Sequence, residues 1–302
     1  MFDKIIGNTE TKRILNNIIT SNNISHSYIF SGTNGIGKFL FAKEFAKAIL
    51  CLADNNKPCN ICKSCESFEN FNNPDITVIN EQENTIKTEQ IKNLVADVLE
   101  KPIQGKKKIY IINNSENMTK EAQNSLLKTL EEPPEYIIII LVTSNENSLI
   151  NTIKSRCIKI TFNSLTDDEI KQYFNTISEE VSENMYKTFG GSIEKALRLK
   201  NQEHIYDKIN QLLENIENKN ELEILKLKEE IFQEKEEIYS ILDYISTIFY
   251  NKILENVNNV NIYSKCIEII EKTKIRLKGN SNYDMTIDYL LLGIWEEFEN
   301  NG

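Results

Sequence analysis

The first half of the chain alternates short apolar runs with stretches whose apolar residues have helical spacing. The apolar runs cover residues 28–30, 76–79, 109–112, 137–142 and 158–160. Within the runs the apolar residues are mostly consecutive rather than alternating with polar ones, a pattern typical of strands covered on both faces. We therefore predict one α/β domain over residues 1–163, with a parallel sheet flanked by helices.

Two helical stretches of this domain have clear boundaries in the sequence. The first covers residues 39–50, where apolar side chains recur every three or four positions. The second covers residues 120–131, with Thr119 as its predicted N-cap and Pro133 followed by Pro134 at its end. These helices are expected to cover faces of the sheet.

The strand pattern ends after Phe162, and helical patterns follow. A glycine pair at Gly190 and Gly191 interrupts the first of them, which predicts a small helical domain over residues 164–202. Residues 203–302 contain helical patterns only and form a predicted all-α domain. Its clearest apolar stripes are Ile238, Ile241, Leu242, Ile245, Ile248 and Phe249, and Ile287, Leu290, Leu291, Ile294 and Phe298. Such stripes usually form a core, and a stripe that packs against another subunit would look the same in sequence.

Composition and charge narrow the class of protein. The chain has 302 residues, 40% of them apolar, and a formal net charge of -10. A protein that holds nucleic acid through its own surface is usually basic, so any DNA contact is expected to be local or borrowed from partners. The basic cluster at Lys101, Lys106, Lys107 and Lys108 is interpreted as a solvated turn before a strand. No signal peptide or membrane-spanning run is recognised, and we expect a cytoplasmic protein with reduced cysteines.

A phosphate-binding loop lies between the first predicted strand and the helix that follows it. Residues 32–38 read GTNGIGK, with Gly32, Gly35 and Gly37 allowing the backbone to curl and Lys38 placed to pair with terminal phosphates. The start of a helix adds positive potential at the same place. This strand–loop–helix context is the one that a Walker A loop requires.

The residues that would hold magnesium are missing from the motif. Phe39 stands where a serine or threonine hydroxyl is required, and Asn113 and Asn114 stand where carboxylates are expected after the third strand. Glu116 lies two residues further on. We predict that this chain does not hydrolyse ATP. Nucleotide binding without turnover and a purely structural loop remain open.

Four of the six cysteines are clustered. Cys51, Cys59, Cys62 and Cys65 have the spacing C-x7-C-x2-C-x2-C, and a tight turn can bring their sulfurs to one centre. Four thiolates in a reducing compartment fit tetrahedral Zn²⁺, with an iron–sulfur cluster as the rival. A closed set of four cysteines leaves no position for water, so we predict a structural zinc module over residues 51–65.

The order of these features is specific. A phosphate loop is followed by the inserted cysteine module, the degenerate third-strand motif, the segment LLKTLEEPP at residues 126–134, and Ser155-Arg156-Cys157. This order resembles the bacterial clamp-loader AAA+ proteins of DNA polymerase III. The resemblance is specific over residues 1–163, extends through Leu199, and rests beyond that on length and helical character.

The resemblance implies a fold and an assembly. The fold would be an α/β AAA+ domain with a RecA-like parallel sheet and the zinc module, a helical lid at residues 164–202, and an all-α collar at residues 203–302. The chain would be a non-hydrolysing component of the polymerase holoenzyme. It would join motor subunits and a clamp-opening subunit in a five-subunit ring that loads the sliding clamp onto primed DNA.

The resemblance also assigns two residues. It makes Arg156 the arginine supplied in trans to a neighbour's ATP site, and it places Asn145 where a sensor would read the γ-phosphate. From the residues alone, Arg156 is a surface arginine before a strand.

Two alternative functions stay in view. One is an ATP-hydrolysing motor subunit of the same ring, which would need a lid arginine where this chain has Glu194. The other is a zinc-stapled DNA-binding module without ring partners, which the acidic charge disfavours.

Overall fold

The chain forms two compact units in the computed structural model. The structure describes residues 1–2, 5–80, 85–181, 183–186, 188–201, 203–218, 220–233, 235, 238–255, 259–279 and 281–301. The first unit comprises residues 1–176 with 191–194, and the second comprises residues 177–190 with 195–302. The predicted division of the helical part at residue 202 stays a prediction.

Five strands, fourteen α-helices and two short 3₁₀ helices (Ser115–Asn117 and Glu146–Ser148) follow one another along the described residues. The strands are β1 (Ser27–Ser31), β2 (Ile76–Ile79), β3 (Lys108–Ile112), β4 (Ile137–Thr143) and β5 (Ile158–Thr161). The helices up to the end of the first unit's main segment are α1 (Thr9–Thr20), α2 (Lys38–Leu50), α3 (Lys63–Glu69), α4 (Thr88–Asp97), α5 (Lys120–Glu131), α6 (Asn151–Lys154) and α7 (Asp167–Thr176). The later helices are α8 (Glu183–Tyr186), α9 (Ile193–Asn201), α10 (Glu203–Glu217), α11 (Glu221–Ile231), α12 (Ile238–Glu255), α13 (Val260–Lys278) and α14 (Tyr283–Asn301).

The five strands form one parallel sheet in the order β2-β3-β4-β1-β5. Each predicted apolar run lies in one of these strands, so the prediction of an α/β domain with a parallel sheet is confirmed. In the central pair, Ser27 of β1 lies opposite Ile139 of β4 and Ser31 lies opposite Thr143. The carboxyl ends of β1, β3 and β4 therefore meet at one edge, where ligand sites of such sheets lie.

Each face of the sheet has its own core. Tyr28 and Phe30 of β1 lie in one buried cluster with Phe41 and Phe45 of α2, while Ile29 lies in the other. The second cluster takes its helical side chains from α4, α5 and α6, namely Ile91, Leu94, Ala122, Leu126, Leu130 and Ile153. Successive strand residues thus pack on opposite faces, which explains why the strands are apolar at consecutive positions.

Thr119 is the N-cap that the sequence predicts. Its hydroxyl oxygen accepts a hydrogen bond of 3.2 Å from the backbone N–H of Ala122, and α5 begins at Lys120. Helix α5 ends at Glu131, before the two prolines at 133 and 134.

The basic cluster differs from its interpretation as a solvated turn. Lys101 and Lys106 are exposed, but Lys108 is the first residue of β3 and only 5% exposed. Its ammonium forms an ion pair of 2.8 Å with Asp97 at the end of α4. The interpretation is wrong for Lys108, because a charge at the start of a covered strand requires a partner.

The second unit is helical, as the sequence predicts for this part of the chain. Both predicted apolar stripes are largely buried, in α12 and in α14. The ring centroids of Tyr206 in α10 and Tyr244 in α12 lie 4.6 Å apart in an edge-to-face arrangement. Cys266 in α13 is fully buried. None of the described helices has the combined length and apolar composition that a membrane span needs.

Candidate functional site

The phosphate loop has the predicted local structure. It leaves the carboxyl end of β1 after Ser31 and enters α2 at Lys38. Gly35 and Gly37 have φ angles of 72° and 89°, in the left-handed region that favours glycine. The prediction of a strand–loop–helix context is confirmed.

Residues 192–194 and Phe162 pack against the glycines of this loop. A Cβ added at Gly35 would lie 2.1 Å from Oγ of Ser192 and 2.7 Å from Cβ of Glu194. The backbone N–H of Glu194 donates a hydrogen bond of 3.3 Å to the carbonyl oxygen of Gly35. A Cβ added at Gly32 would lie 2.5 Å from the carbonyl oxygen of Phe162. The first residues of α9 and the segment after β5 therefore pack directly on the loop.

The lysine of the loop is engaged inside the chain. Lys38 is 5% exposed, and its ammonium donates a hydrogen bond of 2.6 Å to the carbonyl oxygen of Thr33. Burial lowers the pKa of Lys38 below its ordinary value, and the negative charges of Glu116 and Glu194 oppose that shift. Lys38, the residue that would pair with phosphate in a motor protein, thus lies within the electrostatic influence of two carboxylates of its own chain.

The magnesium positions offer no charged ligand. The ring of Phe39 packs against the buried cluster that contains Phe41 and Phe45 of α2. The centroid of this ring lies 4.5 Å from the ammonium nitrogen of Lys43. Asn113 is buried at the end of β3, where its backbone N–H donates to Ile79 and its carbonyl oxygen accepts from Asn80. The side-chain amide nitrogen of Asn114 is buried without a partner among the described residues.

Glu116 is a site residue whose position the sequence did not make clear. One carboxylate oxygen accepts hydrogen bonds from the backbone N–H of Ser144, at 3.1 Å, and from the hydroxyl of Ser144. Its other oxygen is buried without a partner in the described part of the chain. Burial acts to raise the pKa of Glu116, but the hydrogen bonds outweigh it and the pKa lies below its ordinary value. The carboxylate is therefore ionised and close enough to act on Lys38.

Asn145 lies on the loop after β4, at the same edge of the sheet as the phosphate loop. Its side-chain oxygen accepts a hydrogen bond of 3.1 Å from the backbone N–H of Asn147. Two residues earlier, the carbonyl oxygen of Thr143 accepts from the backbone N–H of Gly32 at 3.3 Å. The side chain of Asn145 is exposed, and its sensor role stays a prediction.

The four clustered cysteines meet in space. The sulfur atoms of Cys51, Cys59, Cys62 and Cys65 all lie within 4.8 Å of one another. Cys51 follows the end of α2 and Cys62 precedes α3, so the ends of two helices position the loop between them. Two backbone N–H groups also point at sulfur, from Cys59 to Cys51 and from Cys62 to Cys59, both at 3.3 Å.

The donor set fits a metal that prefers thiolates. Backbone hydrogen bonds lower the pKa of Cys59. Burial acts to raise the pKa of Cys62, but backbone hydrogen bonds outweigh it and the pKa falls to about 6. Burial raises the pKa of Cys51 and Cys65. Four sulfurs at these separations match tetrahedral zinc, whose sulfur ligands lie about 2.3 Å from the metal.

A hydrogen-bond network joins helix α3 of the cysteine module to the residues before β2 and before β3. Asn73 is buried, and its amide donates to the carbonyl and hydroxyl oxygens of Ser64 at 3.0 Å each. The carboxylate of Asp75 accepts three hydrogen bonds of 2.6–2.8 Å from the backbone N–H groups of residues 103–105. Ser67 of α3 donates to the side chain of Gln104 at 3.1 Å. The module and the loop before β3 are thereby fixed to each other.

Arg156 lies between α6 and β5, beside Ser27 at the amino end of β1, whereas the phosphate loop follows the carboxyl end of that strand. Its guanidinium donates to a carboxylate oxygen of Glu131 at 2.7 Å and to the carbonyl oxygen of Thr152 at 2.8 Å. Its side chain is 32% exposed. The next residue, Cys157, packs against the buried core cluster.

Comparison with known proteins assigns the family. The family described as "DNA polymerase III, delta subunit" matches residues 7–166, more than half of the chain. DNA polymerase III subunit delta' of Bacillus subtilis is 34% identical over 173 residues, which is 57% of this chain and 52% of that protein. DNA polymerase III subunit gamma/tau of Mycoplasma pneumoniae is 36% identical over 182 residues, which is 60% of this chain and 26% of that protein.

The matched segment spans between a quarter and about half of the length of these relatives. The structure of a DNA polymerase III gamma subunit-related protein from Thermotoga maritima aligns over 94% of this chain and 99% of that one, with 18% identity and a TM-score of 0.46. This structural similarity is too low to support the family assignment. The family match confirms the resemblance to the clamp-loader proteins that the motifs predict, and the chain belongs to the DNA polymerase III delta-subunit family.

Proposed function

We propose that this chain is the non-hydrolysing delta-prime subunit of a bacterial clamp loader, which supplies Arg156 to the ATP site of a neighbouring motor subunit. The observation that carries the proposal is that the chain's own residues occupy the lysine and cover a glycine of its phosphate loop. Lys38 donates to Thr33, and the start of α9 packs on Gly35. A relative named delta' and the family match over residues 7–166 support the clamp-loader role.

Hydrolysis of ATP requires charges that this loop lacks. Magnesium is held in such sites by a hydroxyl and a carboxylate, and Phe39 and Asn113 provide neither. Glu194 places a negative charge against the loop, where a phosphate would be repelled. These features support a subunit that takes part in the reaction of a neighbour rather than one of its own.

Arg156 has the chemistry for that part. As a γ-phosphoryl group leaves, negative charge spreads over its oxygens, and a guanidinium from an adjacent subunit neutralises it with fixed geometry. Arg156 is partly exposed and lies away from this chain's own loop. Both properties are needed by a residue that acts in trans.

The same proposal covers partners and cofactor. We assign the chain to a cytoplasmic five-subunit ring with motor subunits and a clamp-opening subunit, acting on the sliding clamp and primed DNA. The lid at residues 164–202 and the collar at residues 203–302 are part of this proposal. Cys51, Cys59, Cys62 and Cys65 would hold a structural Zn²⁺ that fixes the turn between α2 and α3, which is supported by the close approach of their sulfurs.

A motor subunit of the same ring is the second candidate. Relatives named gamma/tau match the chain as well as delta' does. Glu116 is the observation that favours it, because this carboxylate lies close enough to Lys38 to act on its pKa and has a buried oxygen without a partner among the described residues. Against it stands Glu194 at the position where a motor needs an arginine. The zinc-stapled DNA-binding module is disfavoured by the family match and by the net charge of -10.

Reconstitution separates these candidates. The purified chain would be mixed with the gamma/tau and delta subunits of the same cell, and the products separated by size. We expect a complex that contains this chain and hydrolyses ATP when primed DNA and clamp are present, while the chain alone does not. Hydrolysis by the chain alone would favour the motor function. Failure to enter any complex, combined with DNA binding by the chain itself, would favour the third candidate.

A further inference from the structure

The guanidinium of Arg156 is held in one orientation by its own chain. Nη2 donates to Glu131 at 2.7 Å, and Nη1 donates to the carbonyl oxygen of Thr152 at 2.8 Å and to the hydroxyl of Ser155 at 3.3 Å. A long exposed side chain with no partners would sample many rotamers. Three acceptors on two sides of one planar group restrict it strongly.

The backbone that carries these groups is itself fixed. Gln123 of α5 is buried, its oxygen accepts from the backbone N–H of Ile150 at 2.9 Å, and its amide donates to the carbonyl oxygen of Ser148 at 3.0 Å. Helix α5 is thereby bonded to the turn that leads into α6. At the other end, the hydroxyl of Ser27 donates to the carbonyl oxygen of Arg156 at 2.8 Å. The helix that carries Glu131 and the backbone of Arg156 are therefore each held in place by hydrogen bonds to neighbouring elements.

The contacts leave part of the guanidinium for a ligand. A guanidinium has five N–H groups in a planar fork. Glu131, Thr152 and Ser155 accept from three of them, and the N–H groups left on Nε and Nη2 have no partner in the part of the chain that the structure describes. Guanidinium N–H groups that are not bonded within the chain can donate to the oxygens of a phosphate.

We propose that Glu131 is a positioning residue for Arg156, which holds the guanidinium so that its remaining donors are ready for the phosphate of the adjacent subunit. The proposal rests on the proposed function of Arg156. The side chains of Glu131 and Arg156 are 49% and 32% exposed, so water screens the pair and the carboxylate does not cancel the positive charge. Glu131 therefore acts on the orientation of the guanidinium. We expect its removal to lower kcat and to leave KM unchanged.

The test uses the reconstituted complex with single replacements in this chain. Glu131→Ala removes the acceptor, Glu131→Gln keeps an oxygen at the same place, and Glu132→Ala is a matched control on the next residue. Arg156→Ala and the double variant Glu131→Ala with Arg156→Ala complete a cycle. Assembly, the KM for ATP, and the rate of clamp loading with DNA-stimulated hydrolysis are measured for each.

We expect Glu131→Ala to slow clamp loading about threefold, in keeping with a partly exposed ion pair that orders a long side chain. Its assembly and KM should match wild type, Glu131→Gln should restore most of the rate, and Glu132→Ala should behave as wild type. The double variant should be no slower than Arg156→Ala.

Three outcomes contradict the proposal, and they are distinguishable. If Arg156→Ala slows loading while Glu131→Ala does not, only the positioning role of Glu131 is wrong. If Arg156→Ala itself assembles and loads as wild type does, the proposed function of Arg156 is wrong and the role of Glu131 falls with it. An additional loss in the double variant would mean that Glu131 acts elsewhere than on Arg156.

Discussion

The backbone N–H of Glu194 lies 3.3 Å from the carbonyl oxygen of Gly35 and donates a hydrogen bond to it. The first turn of α9 is therefore attached to the phosphate loop, and the side chain at position 194 is a carboxylate. A motor subunit needs a cation at this place, because the bound phosphates are negative. This contact places a residue with a carboxylate side chain against the phosphate loop.

Packing of residues 192–194 on the loop can be tested with two glycines. Gly35→Ala places a Cβ 2.1 Å from Oγ of Ser192 in a backbone with φ of 72°, whereas Gly37→Ala has φ of 89° and nothing within 4 Å. Both variants carry about 1 kcal/mol of backbone strain. Gly35→Ala should lose about 1–3 kcal/mol more in the free energy of unfolding, because its contact must be relieved. Urea unfolding measures both, and equal losses would contradict the packing.

The isolated chain should show no magnesium-dependent ATP hydrolysis above background. Phe39→Thr alone should not restore it, because Asn113 and Asn114 supply no charge to hold the metal and Glu194 repels phosphate. Release of inorganic phosphate is the measurement, with a gamma/tau motor subunit as the positive control. Turnover by the wild-type chain would move the assignment to the motor function.

The purified chain should contain one zinc ion per molecule, held by the four cysteines whose sulfurs lie within 4.8 Å of one another. Cys59→Ser should lower the zinc content and make residues 50–70 sensitive to protease, because metal binding and local folding are coupled at such sites. Elemental analysis and limited proteolysis measure these effects. Cys157→Ser, outside the cluster, is the control and should keep its zinc. Iron in place of zinc would establish the rival cluster.

Arg156→Ala should enter the complex normally and slow DNA-stimulated hydrolysis and clamp loading. Arginines supplied in trans are worth roughly 10³–10⁵ in rate at their own site, but the bulk rate should fall less because the other sites of the ring keep theirs. Arg156→Lys should rescue poorly, since an ammonium lacks the planar fork. Assembly and ATPase are measured side by side, and wild-type behaviour of Arg156→Ala in both would refute the assignment.

The ion pair between Asp97 and Lys108 should make stability depend on pH. Burial acts to raise the pKa of Asp97, but hydrogen bonds from Lys108 and Tyr110, both at 2.8 Å, outweigh it and the pKa is lowered. A lowered carboxyl pKa gives stability that is complete above the unfolded value of about 3.9 and is lost as pH falls through the folded value.

Asp97→Asn should therefore cost about 1–2 kcal/mol at pH 7, because buried Lys108 loses its charged partner. The difference from wild type should be smaller at pH 3, below the unfolded value of about 3.9, than at pH 7, because the stabilisation by the wild-type carboxylate is lost as pH falls through its lowered folded pKa. Urea unfolding at the two pH values measures it, with exposed Asp54→Asn as the control. A difference that does not change with pH would show that the carboxylate charge is not the cause.

Several parts of the site could be predicted because they depend on neighbouring residues in the chain. The curl of the phosphate loop follows from glycines at 35 and 37, which take positive φ angles. The cysteine cluster follows from short spacing, since two helix ends bring the loop of residues 51–62 back on itself. The position and contacts of Glu116 could not be predicted from neighbouring residues, because its hydrogen bonds with Ser144 depend on how β3 and β4 pair.

The sequence by itself determined the five strands, their parallel class and the helical second half, because burial on both faces leaves a local signature in the order of apolar residues. Only the tertiary structure decided which charges meet. Lys108 is paired with Asp97, Arg156 with Glu131, and Lys38 lies near Glu116 and Glu194. Such pairs join residues far apart in the chain, and a charged residue in a sequence carries no mark of its partner. The physical reason is that an ion pair is set by distance and burial in the folded chain, whereas an apolar strand is set by the periodicity of its own residues.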